Sequence, residues 1–547
     1  MRRGDDNSSL RYADKLEKQH ELNLWGEYCG FLDLDPGRFQ MIQERLMEEQ
    51  IRLWSASGLG QSILRGEKPR TIQEFRKMVP LTRYEDYADI LLNHRTDMLP
   101  APPVIWLETT WEGGRHPVKT APYTKDMIES IDRNMLALMT IASSDEPNES
   151  LLRDGDRMLF GLAPLPYVTG LFPHILEKEI DFNFLPPVRT ANAMSFGKRN
   201  KEGFRMGLES GIDGFFGMTS VIAYMTESFS KASEGSSGGS SAVRKLFSMS
   251  PSMALRFIRA RKVCQKENRP MVPGDIFDLK ALVCAGTDTR CYKEFLEKTW
   301  GKTPHEIFAG TEMSLLCTET YSHHGMVFFP DSCFPEFITE EDSLRSQREP
   351  GYEPETLLLS ELKEGHNYEL VITSLKGGAF ARYRVGDMFR AVRMNGDNTT
   401  KLPLVQYIDR VNNVIDIAGF TRITENSIGD AIRLSRLPVV HCTAAKEWVD
   451  GKKPFLHLYL EIDPASVDSA AISAQVLREH LKVYFKFMDT DYDDLEKMLG
   501  IDPLKITLLK CGSFHQIIKE TGREIPAINP GKHLINKLVS FGTMGER

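Results

Sequence analysis

Short apolar runs of strand length recur along this chain with longer helical stretches between them, and that alternation limits its fold more than any other feature. Met158-Leu159-Phe160-Gly161-Leu162 and Ala281-Leu282-Val283-Cys284, with Leu279 just before the second, are too short for core helices and read as buried strands. Val104-Ile105-Trp106-Leu107 reads the same way, whereas residues 221–229 read as helix. Strands alternating with helices call for an α/β fold with a largely parallel sheet, because parallel neighbours need a crossover connection and a helix supplies it. At 547 residues the chain has room for two to four domains, or for one large domain with an appendage.

Residues 39–59 place Phe39, Ile42, Leu46 and Leu53 at helical spacing, with Met41, Ile51 and Trp54 widening the stripe and Gly58 and Gly60 at its end. Thr71 with Glu74 and, after Pro80, Thr82 with Glu85 predict two short capped helices. The polar run 108–119 follows a strand and is expected as a loop at its end, where chemistry is often carried. Residues 230–241 are a flexible surface linker by composition. From about Asp409 the pattern changes to strands such as Phe455-Leu456-His457-Leu458-Tyr459-Leu460 and an amphipathic helix over 472–485, a smaller α+β domain. The expected division is thus 1–408 and 409–547.

Tyr383-Arg384-Val385-Gly386-Asp387 stands out within the larger part. Residues 368–374 read as a strand, Gly377-Gly378 as a turn and 379–384 as a returning strand. A glycine after that strand lets the chain bend and presents Asp387 at its mouth, where a carboxylate accepts two hydrogen bonds from vicinal hydroxyls such as those of a ribose. The same five residues also read as an exposed Gly-Asp turn.

A net charge of −8 without a Lys/Arg block argues against a nucleic-acid partner and for a small one. No run of eighteen apolar residues occurs, and the first residues lack the apolar stretch of a signal peptide, so no membrane role is expected and the expected compartment is the cytosol. Eight cysteines without metal-ligand spacing predict neither a disulfide framework nor structural zinc. His323 and His324 are adjacent, point in different directions and lack an accompanying carboxylate cluster in the sequence, so they are expected as loop residues.

Four stretches in order resemble the adenylate-forming ligases: 108–119, Phe308-Ala309-Gly310-Thr311-Glu312, Tyr383 to Asp387 with Arg410, and Pro526-Ala527-Ile528-Asn529-Pro530-Gly531-Lys532. Within that superfamily the chain is most similar to the auxin-responsive acyl-acid amido synthetase family and its bacterial relatives. The segment Phe75-Arg76 to Val79-Pro80-Leu81 and Tyr84-Glu85-Asp86-Tyr87, together with the Tyr-Arg-Val-Gly-Asp block, carries that choice. The resemblance implies a large ATP- and acyl-binding domain followed by a small mobile one.

It also implies roles. Phe308, Ala309, Gly310 and Thr311 would border adenine, with Phe308 in place of the usual tyrosine and Ala309 in place of the usual glycine. Ala285 and Gly286 would form a turn against the same base. Glu312 would ligate Mg²⁺ as a hard oxygen donor. Asp387 would hold the ribose, and Arg410 would open an interdomain hinge whose usual glycine is here Asp409. Thr109, Thr110, Gly113, Gly114 and Lys119 would wrap the phosphates of ATP. Trp111 and Glu112 depart from that loop's pattern. Lys532 would be the adenylation lysine, delivered by a C-terminal loop. The acid pocket would draw on Phe216, Met218, Val221, Ile222 and Met225, residues that core packing explains equally well.

The function implied is ATP-dependent activation of a carboxylic acid as an acyl-adenylate and its transfer to an amine, most simply an amino acid. A CoA acceptor, or a nucleotide-binding protein with impaired catalysis, are the alternatives. Pyrophosphate release with a panel of acids separates enzyme from binder, and CoA against amino acids separates the two ligases.

Overall fold

Entry to the fold is made by the helix Pro36–Ala56, which Asp35 caps by accepting from Arg38 N. The apolar stripe expected over 39–59 is there except for Met41, which is 69% exposed, and the glycines do not end it. The chain turns extended at Ser57, whose hydroxyl accepts from Gly60 N, and a second helix runs Gly58–Leu64. Met47, Ile51 and Trp54 pack with Phe75, Phe334 and Leu375 in one core cluster, where each fully buried large side chain contributes roughly 1.5–3 kcal/mol. The computed structural model of the chain describes residues 10–110, 118–234, 249–286, 289–349, 351–411, 414–418, 421–435, 438–462, 478–479, 481–482, 499–521 and 525–543.

Two compact units divide the chain. The larger takes in Met1–Thr110, Val118–Ala285 and Tyr292–Ile408, and the smaller is built mainly on Asp409–Arg547. In the larger unit β1 (Ile105–Thr110) and β2 (Val118–Tyr123) form an antiparallel hairpin, so the stretch expected as loop from 108 is strand as far as Thr110. A twelve-stranded sheet follows. Its parallel part runs β4 (Asn183–Leu185), β3 (Arg157–Gly161), β5 (Gly214–Met218), β6 (Ala281–Ala285), β7 (His305–Gly310). The strands expected at 158–162 and 281–284 lie here, and the helix Thr219–Glu234 covers the one expected at 221–229.

Beyond β7 the sheet is antiparallel through β8 (Ser314–Glu319), β9 (Met326–Phe328) and β14 (Leu404–Arg410). It continues through β13 (Tyr383–Arg393), β12 (Asn367–Ser374), β10 (Cys333–Thr339) and β11 (Leu357–Leu358). The parallel order stops at β7 because the turns from β7 to β8 and β8 to β9 are too short for a crossover, and short links permit only hairpins.

The smaller unit pairs β15 (Val414–Ile417) with β16 (Thr421–Thr424), and orders β17 (Val439–Val449), β18 (Lys453–Ile462), β19 (Leu504–Leu509) in a second sheet. Helices Glu425–Ser435, Ser513–Thr521 and Lys532–Ser540 accompany them, an α+β arrangement. Its apolar core gathers Ile415, Ile423, Leu456, Leu458 and Leu460. Residues 230–234 of the expected linker continue the helix Thr219–Glu234 instead, and the rest of it, 235–241, lies outside the described residues with most of the helix expected over 472–485. Among the described residues no helix is long and apolar enough to cross a membrane, and none of the eight cysteines is in a disulfide.

Two local expectations are corrected. Thr71 does cap its helix by accepting from Glu74 N, while Glu74 reaches back to Arg70 N rather than to Thr71. Thr82 caps nothing: its hydroxyl donates to Ala381 O at 2.7 Å, and the turn Tyr84–Asp86 is capped by Asp86, which accepts from Arg83 N. The returning strand expected over 379–384 begins only at Tyr383. Arg382 has φ +46, so the chain turns a left-handed corner there, and its N–H goes to Thr373 Oγ1 instead of a strand partner.

Candidate functional site

The Tyr-Arg-Val-Gly-Asp block does not end in a turn. It opens the long strand β13, whose register pairs Arg384 with Val371 and Met388 with Glu369. Val385, Gly386 and Asp387 therefore stand opposite the single residue Leu370, a bulge that Gly386 permits with φ +84. The bulge carries Asp387 inward, to 2% exposure, rather than presenting it at a strand mouth, and Tyr407 OH on β14 donates to its carboxylate at 3.3 Å. Arg384 grips Glu369 side-on, with Nε to Oε1 at 2.7 Å and Nη2 to Oε2 at 2.6 Å, a packing role.

Helix Pro36–Ala56 fixes the approach to that block. Gln50 accepts from Gly377 N at 2.8 Å and donates to Gly378 O at 2.9 Å, and Trp54 Nε1 donates to Ala379 O at 3.0 Å. Two segments far apart in sequence then join. Thr82 N donates to Arg382 O and Arg384 N donates to Thr82 O, while Tyr87 OH accepts from Ala381 N at 2.9 Å. Arg382 reaches the carbonyls of Arg76 and Val79 and the buried carboxylate of Glu336, which Arg76 also binds at 3.0 Å.

On this frame Lys119, Glu312 and Tyr383 converge. Lys119 Nζ donates to Tyr383 OH at 2.9 Å and lies 3.4 Å from Glu312 Oε1, to which Tyr383 OH donates at 3.0 Å. The Lys119 and Glu312 side chains are 16% and 10% exposed, a partly dry setting in which charge attraction is stronger than in water. Each member is positioned by backbone. Tyr84 OH accepts from Thr120 N at 2.6 Å and so holds β2 beside Lys119, whose ammonium sits over the Tyr84 and Tyr383 rings at 5.5 and 5.7 Å. Ser374 Oγ donates to Glu312 O at 3.1 Å, and Tyr123 OH donates to Thr311 O at 2.7 Å. Burial, with the Glu312 charge second, pushes the Tyr123 phenol well up, and burial raises that of Tyr84; both stay protonated donors at neutral pH.

The other expected site residues are distributed as follows. Thr109 lies directly opposite Lys119 in the hairpin register; Trp111, Glu112, Gly113 and Gly114 and the side chain of Thr110 lie outside the described residues. Phe308, on β7, is half-buried, stacks on Tyr407 at 5.4 Å and 20°, and meets Phe389 edge-on at 4.9 Å, so one of its faces already has an aromatic partner. Ala309 and Gly310 follow a register shift at Phe308, where a Cβ on Gly310 would stand 2.6 Å from Met313 Sδ. Ala285 ends β6, and Gly286 after it has φ +129, a conformation that favours glycine. Arg410 is the last residue of β14.

Of the expected acid pocket, Phe216, Val221, Ile222 and Met225 are 0–4% exposed. Phe216 is stacked on Phe172 at 5.6 Å and meets Phe160 edge-on at 5.8 Å, a core position. Met218 is half-buried.

Lys532 was expected on a loop and is the first residue of the helix Lys532–Ser540, exposed. The preceding loop lies along β17: Ala444 N donates to Ala527 O at 2.9 Å, Asn529 N donates to Ala444 O at 2.7 Å, and Thr443 Oγ1 donates to Pro526 O at 2.7 Å. A cation in the first turn of a helix opposes the helix dipole, so helix stability does not account for this lysine.

The histidines are corrected too. Each has a carboxylate after all: His323 Nδ1 lies 3.0 Å from Glu319 Oε2 and His324 Nδ1 lies 2.9 Å from Asp397 Oδ2. They do point apart. His305, Glu319 and His323 each bring one ligand-type atom within 4.8 Å of the others, and Lys293 answers the Glu319 charge at 2.6 Å. The cluster escaped notice because its members are spread over 305–323 and only the β7–β8 hairpin joins them.

Sequence reasoning quoted Tyr84 and Tyr383 in motifs without giving them a role, and missed Tyr407 and Glu336. Tyr383, first in its block, was the available signal; a lone tyrosine and a glutamate within strands offered none.

Residues 326–410, which contain Glu336, Tyr383, Asp387 and Tyr407, match the GH3 family central domain. A jasmonoyl–L-amino acid synthetase of Nicotiana attenuata, JAR4, is 29% identical over 178 residues, 31% of this chain and 28% of that protein. A second from the same plant, JAR6, is 28% identical over 170 residues, 29% of this chain and 27% of its own. The match thus spans little more than a quarter of the curated relatives' length.

Among solved structures, a GH3.15 acyl acid amido synthetase covers 100% of this chain and 98% of its own at a TM-score of 0.51 and 15% identity. A 2-hydroxyisobutyryl-CoA ligase covers 87% and 86% at 0.54 and 15%. At such identities the likeness speaks for the fold. Residues 326–410 thus match the GH3 family central domain, within a chain whose fold is shared with an acyl acid amido synthetase and a CoA ligase.

Proposed function

We propose that this protein is an ATP-dependent ligase that activates a carboxylic acid as its acyl-adenylate and transfers the acyl group to the amine of an amino acid. The observation that carries the reading is the convergence of Lys119 on β2, Tyr383 on β13 and Glu312 in the β7–β8 turn. In the first half-reaction an oxygen of the acid attacks the α-phosphorus of ATP and the bond to pyrophosphate breaks. In the second, the amine nitrogen attacks the acyl carbon, AMP leaves and the nitrogen loses a proton.

Lys119 supplies positive charge to the phosphates, Tyr383 orients both Lys119 and Glu312, and Asp387 accepts from the ribose hydroxyls. Thr109, opposite Lys119, extends the phosphate contacts toward Thr110, Gly113 and Gly114. Phe308 offers its free edge and one face to adenine, with Ala309, Gly310, Thr311, Ala285 and Gly286 around it. Glu312 fits Mg²⁺, which takes one or two carboxylates plus substrate phosphates, and the ion when bound would neutralise phosphate charge. Lys532 would stabilise charge growing on the α-phosphate, with 409–547 as the mobile domain that delivers it and Arg410 at the hinge. Most of the rate would then come from positioning and preorganised charge.

A CoA acceptor is the second reading, favoured by the fold likeness to 2-hydroxyisobutyryl-CoA ligase. ATP–pyrophosphate exchange with a panel of carboxylic acids tests the first half-reaction, and product analysis with an amino-acid mixture against CoA tests the second. Exchange with no acid, in protein that binds ATP, would leave a nucleotide-binding role. Thioester formation without amide would give the chain to the CoA ligases.

A further inference from the structure

The helix Phe196–Ser210 turns polar and small residues inward: its buried positions are Arg199, Asn200, Gly203 and Gly207. A Cβ on Gly203 would stand 2.5 Å from Leu185 O and 2.9 Å from Leu159 Cδ1, and one on Gly207 2.6 Å from Ile212. The two glycines let the helix settle close against β3 and β4, and that close approach draws Arg199 and Asn200 into the interior. Arg199 is 2% exposed. Its Nε and Nη2 are buried without a hydrogen-bond partner, as are both amide atoms of Asn200. Glu202, one turn away on the same helix, is committed to Arg205, which also takes Glu209. The ring of Phe196 lies 5.2 Å from the guanidinium carbon. Burial alone lowers the Arg199 pKa, to about 10, so the group stays charged at neutral pH.

A buried charge without a partner is costly, and such groups are normally paired. Arg199 lines a cavity of about 20 Å³ beyond the carboxyl ends of β3 and β4, among Phe160, Leu162, Pro173, Phe184 and Asn192. Open α/β sheets bind ligands at that end of their strands. One water needs about 10–15 Å³ of such space, so the cavity has room for one small group and none for a nucleotide or a phosphate ester. Nε and Nη2 share the edge of the guanidinium that matches the two oxygens of a carboxylate. Arg157 and Arg384 use that edge in this same unit, on Asp213 at 2.6 and 2.7 Å and on Glu369 at 2.7 and 2.6 Å.

We propose that the cavity between the carboxyl ends of β3 and β4 and the helix Phe196–Ser210 is a binding site for a small monocarboxylate, held side-on by Arg199 with its apolar end against Phe160 and Phe184. A single guanidinium balances a single negative charge, and the apolar wall accepts a hydrogen or methyl group. The site assumes nothing about the adenylation reaction, and its test reads binding without turnover.

The test is thermal unfolding of the full chain in buffer free of carboxylates and halides, titrated with formate or acetate against sulfate and chloride at constant ionic strength. The unfolding temperature of the wild type should rise saturably with formate and acetate, because a ligand that binds only the folded state stabilises it by mass action. Arg199→Met should lose that response, while unfolding no lower than wild type before any anion is added. Arg199→Lys keeps the charge without the fork and should respond weakly. Line broadening of ¹³C-formate on wild type, absent with Arg199→Lys, reads occupancy without unfolding. Equal responses of wild type and Arg199→Met, or chloride acting as well as formate, would overturn the carboxylate site. A collapse of Arg199→Met in every buffer, with Arg199→Lys equal to wild type throughout, would make Arg199 a structural cation instead.

Discussion

Glu336 holds together the two segments that carry the family resemblance, and its removal has a size that the structure sets. The residue is completely buried on β10, with Oε1 3.0 Å from Arg76 Nε, Oε2 3.2 Å from Arg382 Nε, and a further bond from Thr356 Oγ1 at 2.5 Å. Glu336→Gln keeps the shape and removes the charge, so Arg382, with its side chain 8% exposed, is left without its carboxylate partner. Breaking a buried pair in this way costs about 3–5 kcal/mol. The Arg76 side chain is 24% exposed and can recover water, which places the cost near the lower end, about 3 kcal/mol, or roughly 10²-fold in an opening equilibrium. A global unfolding free energy would mix two compact units, so the cost of one buried pair is best read locally. Hydrogen exchange of the Thr82 and Arg384 amides reports on it, since these two close the bridge between the segments. They should exchange about 10² times faster in Glu336→Gln while amides of β17 and β18 stay unchanged. An acceleration of less than about threefold would refute the claim that this carboxylate, rather than the surrounding packing, joins the segments.

Four shorter predictions accompany it. Lys119→Ala should weaken ATP binding and turnover together, and unchanged values for both would remove the β1–β2 hairpin from the site. Asp387→Ala should weaken ATP binding by about 1.5–3 kcal/mol, the usual scale for hydrogen bonds to a charged group, and in folded protein an unaltered ATP dependence argues that Asp387 serves Tyr407 alone. Lys532→Ala should slow pyrophosphate exchange by about 10²–10³ while ATP still binds and a preformed acyl-adenylate is still consumed; equal loss in both half-reactions would assign Lys532 to folding. Burial, aided by the neighbouring His323, lowers His305 from 6.5 to about 3, so the unfolded chain takes up a proton that the folded one refuses. Stability from this group is complete above about pH 6.5 and is lost as pH falls toward 3, and His305→Gln should flatten that limb of unfolding temperature against pH; parallel profiles would contradict the assignment.

What could be read from the sequence was what depends on neighbours along the chain. Residues 158–162 and 281–284 declared themselves as strands through uninterrupted apolar character, and Asp35 and Thr71 sit where short polar side chains cap helices. Lys119 and Glu312 were named from their motifs, but nothing in the order of residues placed Tyr383 between them. Contacts across 264 and 71 positions, from Tyr383 to Lys119 and to Glu312, depend on how β13 passes the hairpin and the β7 end. The fate of Asp387 shows the limit most clearly. Its glycine was correctly taken as a bend, yet a glycine bends a strand equally well at its end or in a bulge, and only pairing with β12 decided for the bulge and buried the carboxylate. Phe216, Val221 and Ile222 were apolar on any reading; whether an apolar side chain lines a pocket or fills a core is settled by what packs on its other side, here Phe172 and Phe160 against Phe216. Arg199 is the opposite case: its sequence neighbours are those of a surface lysine-and-arginine face, and it became a buried cation because Gly203 and Gly207 allow the helix to approach the sheet.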